Sequence, residues 1–168
     1  MLPIALMCPT PQVYRLTVDT DIYLLRKVQD WFEQFRQILP YGIWMQCNLV
    51  LVEAFSNVVD HAHRDLPPTT PIDIEVRVSQ EQVELRVWDY GKPFDLQREL
   101  KNCLERHSSY DTVDDIPTGG RGLIIAHNIA DTLLYERQPD QRNCFIFVKR
   151  LAGKAPEPTP KATGGAVG

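Results

Sequence analysis

The stretch VELRVWDYGKPFD, residues 83–95, decides the fold. Val83, Leu85 and Val87 alternate with Glu84, Arg86 and Trp88, the period of two of a strand with one buried face. Asp89 shares the parity of the three aliphatic residues. A strand that runs this far turns a carboxylate toward the core side, just before the break at Tyr90-Gly91-Lys92-Pro93. Upstream, IDIEVRV (72–78) carries the same alternation, and Ser79-Gln80-Glu81-Gln82 joins the two runs as a hairpin.

On the N-terminal side VYRLTV (13–18) alternates and suits a further strand, and toward the C-terminus CFIFVKR (144–150) is continuously apolar at its start, as an interior strand is. Asp19, Thr20 and Asp21 offer caps for a helix over about 21–38, with Ile22, Leu25, Val28, Phe32, Phe35 and Leu39 as its stripe. Pro40-Tyr41-Gly42 stops it, and a second helix covers about 43–63. Residues 95–118 are polar with weak periodicity and predict a long connection holding at most a short helix. RGLIIAHNIADTLLY (121–135) predicts a third helix. The expected fold class is α+β, a two-layer sandwich with helices on one face of a mostly antiparallel sheet.

The chain of 168 residues, 43% hydrophobic, suffices for one domain with a sizeable core. A net charge of −4 and a pI near 5.5 argue against direct nucleic-acid binding. No apolar run suggests a membrane span. The opening MLPIALMCP lacks a basic start and has Met7 before Cys8, so it reads as an N-terminal extension (1–12) rather than a leader. Cys8, Cys47, Cys103 and Cys144 are scattered, which fits free thiols and a cytoplasmic location. The Pro/Gly/Ala-rich stretch 152–168 is expected to be a disordered tail, leaving a domain over 13–151.

In LVEAFSNVVDHAHRD, residues Glu53, Ser56, Asn57, Asp60, His61 and Arg64 fall on one helical face. A solvated face explains that spacing. However, Asn57 is a poor helix former, whereas its carbonyl oxygen is a hard ligand suited to Mg²⁺. Glu53, one turn earlier, can reach the same cavity as a base. Farther on, Thr118-Gly119-Gly120-Arg121-Gly122-Leu123 opens a helix, and glycines there let a backbone approach an anion closely. It is neither a Walker loop nor a dinucleotide fingerprint.

Three elements thus follow one another: EAFSNVVDHAH (53–63), DYGKPFD (89–95) and GGRGLIIAHNIAD (119–131). Together they resemble the N, G1 and G2 boxes of the Bergerat-fold, histidine-kinase-like ATPase superfamily, and within it the bacterial anti-sigma factor serine-protein kinases. The resemblance covers about residues 13–151. It implies ATP or ADP and Mg²⁺ as ligands, with Asp89 accepting from the adenine amino group and Gly91 permitting the turn beneath it. It likewise implies Asn57 as the metal ligand and Glu53 as the base that takes the proton of an attacking serine. Gly120, Arg121, Gly122 and Leu123 would surround the phosphates, with residues 96–118 as the lid. His61 matches a family position, where packing is the expected role. Pro93 stands where the wider superfamily has a second glycine, a departure that the anti-sigma branch tolerates.

The implied activity is phosphorylation of a serine on a STAS-type anti-anti-sigma partner, with a sigma factor as the competing partner. A homodimer through the 13–18 strand and the first helix is the implied assembly. Two competing expectations are a nucleotide-gated partner-binding module with little catalysis and a detached histidine-kinase ATPase domain.

Overall fold

A computed structural model describes residues 10–107 and 120–151. The first nine residues, the 152–168 tail and the 108–119 part of the expected lid, with Thr118 and Gly119, lie outside the described residues. Five strands form one sheet in the order β1-β2-β3-β5-β4, every neighbouring pair antiparallel. They are β1 (Gln12–Asp19), β2 (Pro71–Val78), β3 (Gln82–Asp89), β4 (Thr132–Arg137) and β5 (Asn143–Arg150). Tyr14, Leu16 and Val18, then Ile74, Val76, Leu85, Val87 and Phe147, present the core parity, and the helices pack over this face. The architecture is the α+β sandwich expected.

The first helical segment is not one regular helix. Asp21 caps Tyr23 N–H at 2.9 Å and starts a 3-10 turn (Ile22–Leu24), which leads into α1 (Leu25–Phe32) and a second 3-10 turn (Glu33–Gln37). Val28, Phe32, Phe35 and Leu39 are buried as the stripe predicts, whereas Ile22 stays 40% exposed because the tighter turn swings it off that face. α2 (Tyr41–Asn57) runs into a π-helical turn, Val58–Ala62. Contrary to expectation, the 22 helical residues Tyr41–Ala62 are long and apolar enough, by length and composition alone, to cross a membrane. Here Val50, Leu51, Ala54, Phe55 and Val58 are buried in the core instead.

Two further expectations are corrected. The polar segment after residue 95 contains a twelve-residue helix, α3 (Leu96–His107), whose Leu96, Leu100 and Cys103 are buried at spacing i, i+4, i+7. The helix expected over 121–135 ends early: α4 is Arg121–Ile129, and Thr132–Arg137 is the edge strand β4. Ala130 turns extended, and Lys149 Nζ donates to the Ile129 carbonyl at 2.8 Å, closing the helix end as a cation does best. β4 is required because β5 carries Phe145 and Phe147 in its interior and needs a neighbour on each side.

On the other face of the sheet, arginine and glutamate alternate among the described residues of β1, β2 and β3. Glu75 accepts from Arg15 at 2.7 Å and from Arg77 at 2.5 Å, and Glu84 accepts from Arg86. The aliphatic stems of such residues cover apolar surface. Cys47, Cys103 and Cys144 are buried and free. Burial pushes the Cys47 and Cys144 thiols up to about 12, which leaves them unreactive.

Candidate functional site

A cavity of about 760 Å³ opens between α2 with its π turn, the C-terminal end of β3, α3, the start of α4 and β4. Its helical wall carries Glu53, Asn57 and His61. Four-residue steps on a straight α-helix drift, so His61 would lie about 80° around from Glu53. The wider turn at Val58–Ala62 undoes most of that drift and keeps all three on one wall. Ser56, Asp60 and Arg64, the rest of the polar stripe, do not line the cavity.

Asp89 closes one end and is 3% exposed. Its two oxygens differ. Oδ1 accepts from Gly91 N–H and from the Asn143 side-chain amide, both at 2.8 Å. Oδ2 accepts from the Tyr135 hydroxyl at 3.4 Å. Asn143 is held in turn: its amide also donates to the Gly91 carbonyl at 2.9 Å, and its Oδ1 accepts from Arg137 at 2.9 Å. The protein therefore supplies donors for one carboxylate oxygen, which keeps the buried charge tolerable without any ligand. Gly91 is required beside it. A Cβ there would stand 2.6 Å from the Ala62 carbonyl oxygen and 2.9 Å from Ala62 Cα, both backbone atoms of the π turn.

His63 fixes this corner from behind. Its Nε2 accepts from Tyr90 N–H at 2.8 Å, and its Nδ1 lies 2.7 Å from Thr20 Oγ1, which donates to the Thr70 carbonyl at 2.7 Å. That chain assigns the neutral Nδ1–H tautomer. Burial holds the imidazole pKa below its ordinary 6.5, opposed by the Asp89 charge. On acidification the unfolded chain takes up this proton first, so stability is complete above about pH 6.5 and falls below it toward the lower folded value. Chemical denaturation across about pH 7 to 5.5 should show a stability loss that His63→Gln flattens. An unchanged slope in that variant would remove His63 from the account.

At the opposite end, α4 begins at Gly120, whose φ of 98° lies in the left-handed region that favours glycine. A Cβ at Gly120 would stand 2.6 Å from Cys103 Sγ, and one at Gly122 would overlap Glu53 Oε2. The amides of Arg121, Gly122 and Leu123 precede the first intrahelical bond, Ile124 N–H to Gly120. Gly120, Gly122 and Leu123 at this helix start line the same cavity as Asp89.

Residues 19–149 match the histidine kinase-like ATPase domain family. The chain belongs to this family. Serine-protein kinase RsbW of Bacillus licheniformis is 31% identical over 83 residues, covering 49% of this chain and 51% of RsbW. Serine/threonine-protein kinase BtrW of Bordetella bronchiseptica is 30% identical over 86 residues, covering 51% of this chain and 56% of BtrW. The chain spans about half the length of the curated relatives it matches.

In this ATPase domain, Glu53, Asn57, Asp89, Gly91, Gly120, Gly122 and Leu123 all line one cavity, whereas Arg121 is not among its lining residues. His61, for which packing was the expected role, is exposed on the cavity wall, and His63 is the packed histidine. Tyr135, Arg137 and Asn143 around Asp89 were not anticipated. Tyr135 was hidden by the helix expected over 121–135 and Arg137 lay just beyond it, although Leu133, Tyr135 and Arg137 share one strand parity. Asn143 stands directly opposite Asp89 in the β3–β5 register, so correct strand pairing alone would have found it.

Proposed function

We propose that this chain is an ATP-dependent serine-protein kinase acting as an anti-sigma factor, with a STAS-type anti-anti-sigma protein as its substrate. The observation that carries the reading is the shared cavity. Its buried carboxylate at Asp89 suits a base amine, and its glycine-lined helix start suits phosphates. Glu53 and Asn57 lie on the wall they have in common. The likeness to two proteins named as serine kinases supports the same assignment.

Among the described residues, no group of three or more His, Cys, Asp or Glu could hold a metal alone. The donor set fits Mg²⁺ shared with nucleotide phosphates, since that ion keeps waters and takes few protein ligands. Asn57 would hold it, and the ion would offset charge on the transferring phosphoryl group. Glu53 takes the hydroxyl proton of the attacking serine. Gly120, Gly122 and Leu123, with Arg121 beside them, surround the phosphates. α3 forms the described part of the lid over residues 96–118. The unphosphorylated partner competes with a sigma factor for the kinase. The domain comprises residues 13–151 and works in the cytoplasm. Its homodimer uses β1, an edge strand of the sheet among the described residues, together with α1.

Transfer of label from γ-labelled ATP to a purified STAS-domain partner tests the reading. The expected result is magnesium-dependent labelling of one serine. Nucleotide-dependent binding of that partner without labelling would instead favour a gated binding module.

A further inference from the structure

The two oxygens of Asp89 do not offer a ligand the same thing. Oδ1 is occupied by Gly91 N–H and the Asn143 amide, each at 2.8 Å. At Oδ2, the Tyr135 hydroxyl stands at 3.4 Å, well beyond the roughly 2.5–2.7 Å of a strong O–H···O⁻ bond. That contact is weak enough to be surrendered. The hydroxyl remains a donor, because burial first and the Asp89 charge second raise its pKa well above the ordinary value of 10.0. Its ring is braced by Phe94, centroids 4.1 Å apart, and both side chains line the cavity.

A carboxylate acceptor with a hydroxyl donor at its side is the complement of an amidine edge, an amine beside an unprotonated ring nitrogen. Adenine carries such an amine, with N1 on one side and N7 across the ring junction on the other. A 6-oxo purine would instead set a carbonyl oxygen against the carboxylate. Resting on the adenine-nucleotide reading above, the geometry points to Tyr135 as a specificity-determining residue. Its hydroxyl donates to a ring nitrogen flanking the amine, while Asp89 Oδ2 accepts from the amine itself. Selectivity for adenine is then shared by two strands, β3 and the edge strand β4, rather than held by Asp89 alone.

Calorimetry of the full chain with Mg-ADP, 1-deaza-ADP and 7-deaza-ADP tests this, in the parent and in Tyr135→Phe. The parent should bind one deaza analogue roughly three- to tenfold more weakly than ADP, the worth of one hydrogen bond. Tyr135→Phe should weaken ADP by the same factor and leave that analogue unaffected. Equal losses on all three ligands would make Tyr135 only part of the wall. Unchanged or tighter ADP binding would make its hydroxyl a mere occupant of Oδ2. Either result overturns the proposal, as would a parent that binds both analogues as well as ADP, a comparison that needs no variant. A parent that binds no adenine nucleotide, or binds IDP equally well, fails earlier and sinks the adenine reading itself.

Discussion

Glu53→Gln is expected to lower phosphoryl transfer to the partner by roughly 10²- to 10⁴-fold, the range of a general base. Mg-ADP affinity should stay within about twofold, because the substitution removes a proton acceptor without changing what the nucleotide touches. The close fit of Glu53 against Gly122 makes this variant informative. Gly122 lacks a side chain where Glu53 packs, its ideal Cβ falling 3.0 Å from Glu53 Cβ, and glutamine fills that space equally. Glu53→Ala would instead leave a void against the start of α4, and a lost rate could then reflect a displaced phosphate cradle. Phosphoryl transfer needs mainly positioning and charge neutralisation, so the effect sits at the lower end of the range if the serine proton leaves late. Single-turnover transfer with saturating partner measures the step directly. A parental rate in the glutamine variant would show that the proton goes elsewhere, and the role of Glu53 would reduce to packing.

The central hairpin was legible because its two periods agree with one buried face: Val83, Leu85 and Val87 point inward, and Asp89 follows them to 3% exposure. The polar stripe on α2 was legible only in part. Spacing cannot separate a solvated face from a cavity wall, and both are present, since Asp60 is exposed while Glu53 lines the cavity. The π turn that sorts them leaves no sequence mark. β4 was missed for a different reason. In IADTLLY the short apolar runs fit either period, and the preceding helix pattern runs straight into them. One inconsistency could have exposed the error. A continuously apolar β5 demands a strand on each side, and four strands in this order would have left it at an edge. The turn at Gln138–Arg142, with Pro139, Asp140 and a left-handed Gln141, marks the hairpin that resolves it. The consequence reaches the site, because Tyr135 and Arg137 line the cavity only as strand residues.

Asp89→Asn is expected to weaken ADP and ATP binding by about 10²-fold or more while leaving the fold nearly intact. Asparagine can keep an oxygen where Oδ1 accepts from Gly91 N–H and Asn143, so the internal network survives. Its amide then replaces Oδ2 and presents donors to a ligand amine that is itself a donor. Two donors facing each other in a desolvated pocket lose the bond and leave hydrogens unpaired, which is why the penalty exceeds one ordinary hydrogen bond. Asp89→Ala separates the contributions. It removes both oxygens, strands the Gly91 N–H and one N–H of the Asn143 amide, and should cost stability by about 1–3 kcal/mol for each buried group left unsatisfied. Calorimetric titration of both variants with Mg-ADP, beside their denaturant midpoints, distinguishes a binding defect from a folding defect. Asparagine at full affinity would mean that Asp89 serves the turn at Gly91 and not the ligand, and the base-reading role of this end of the cavity would fall with it.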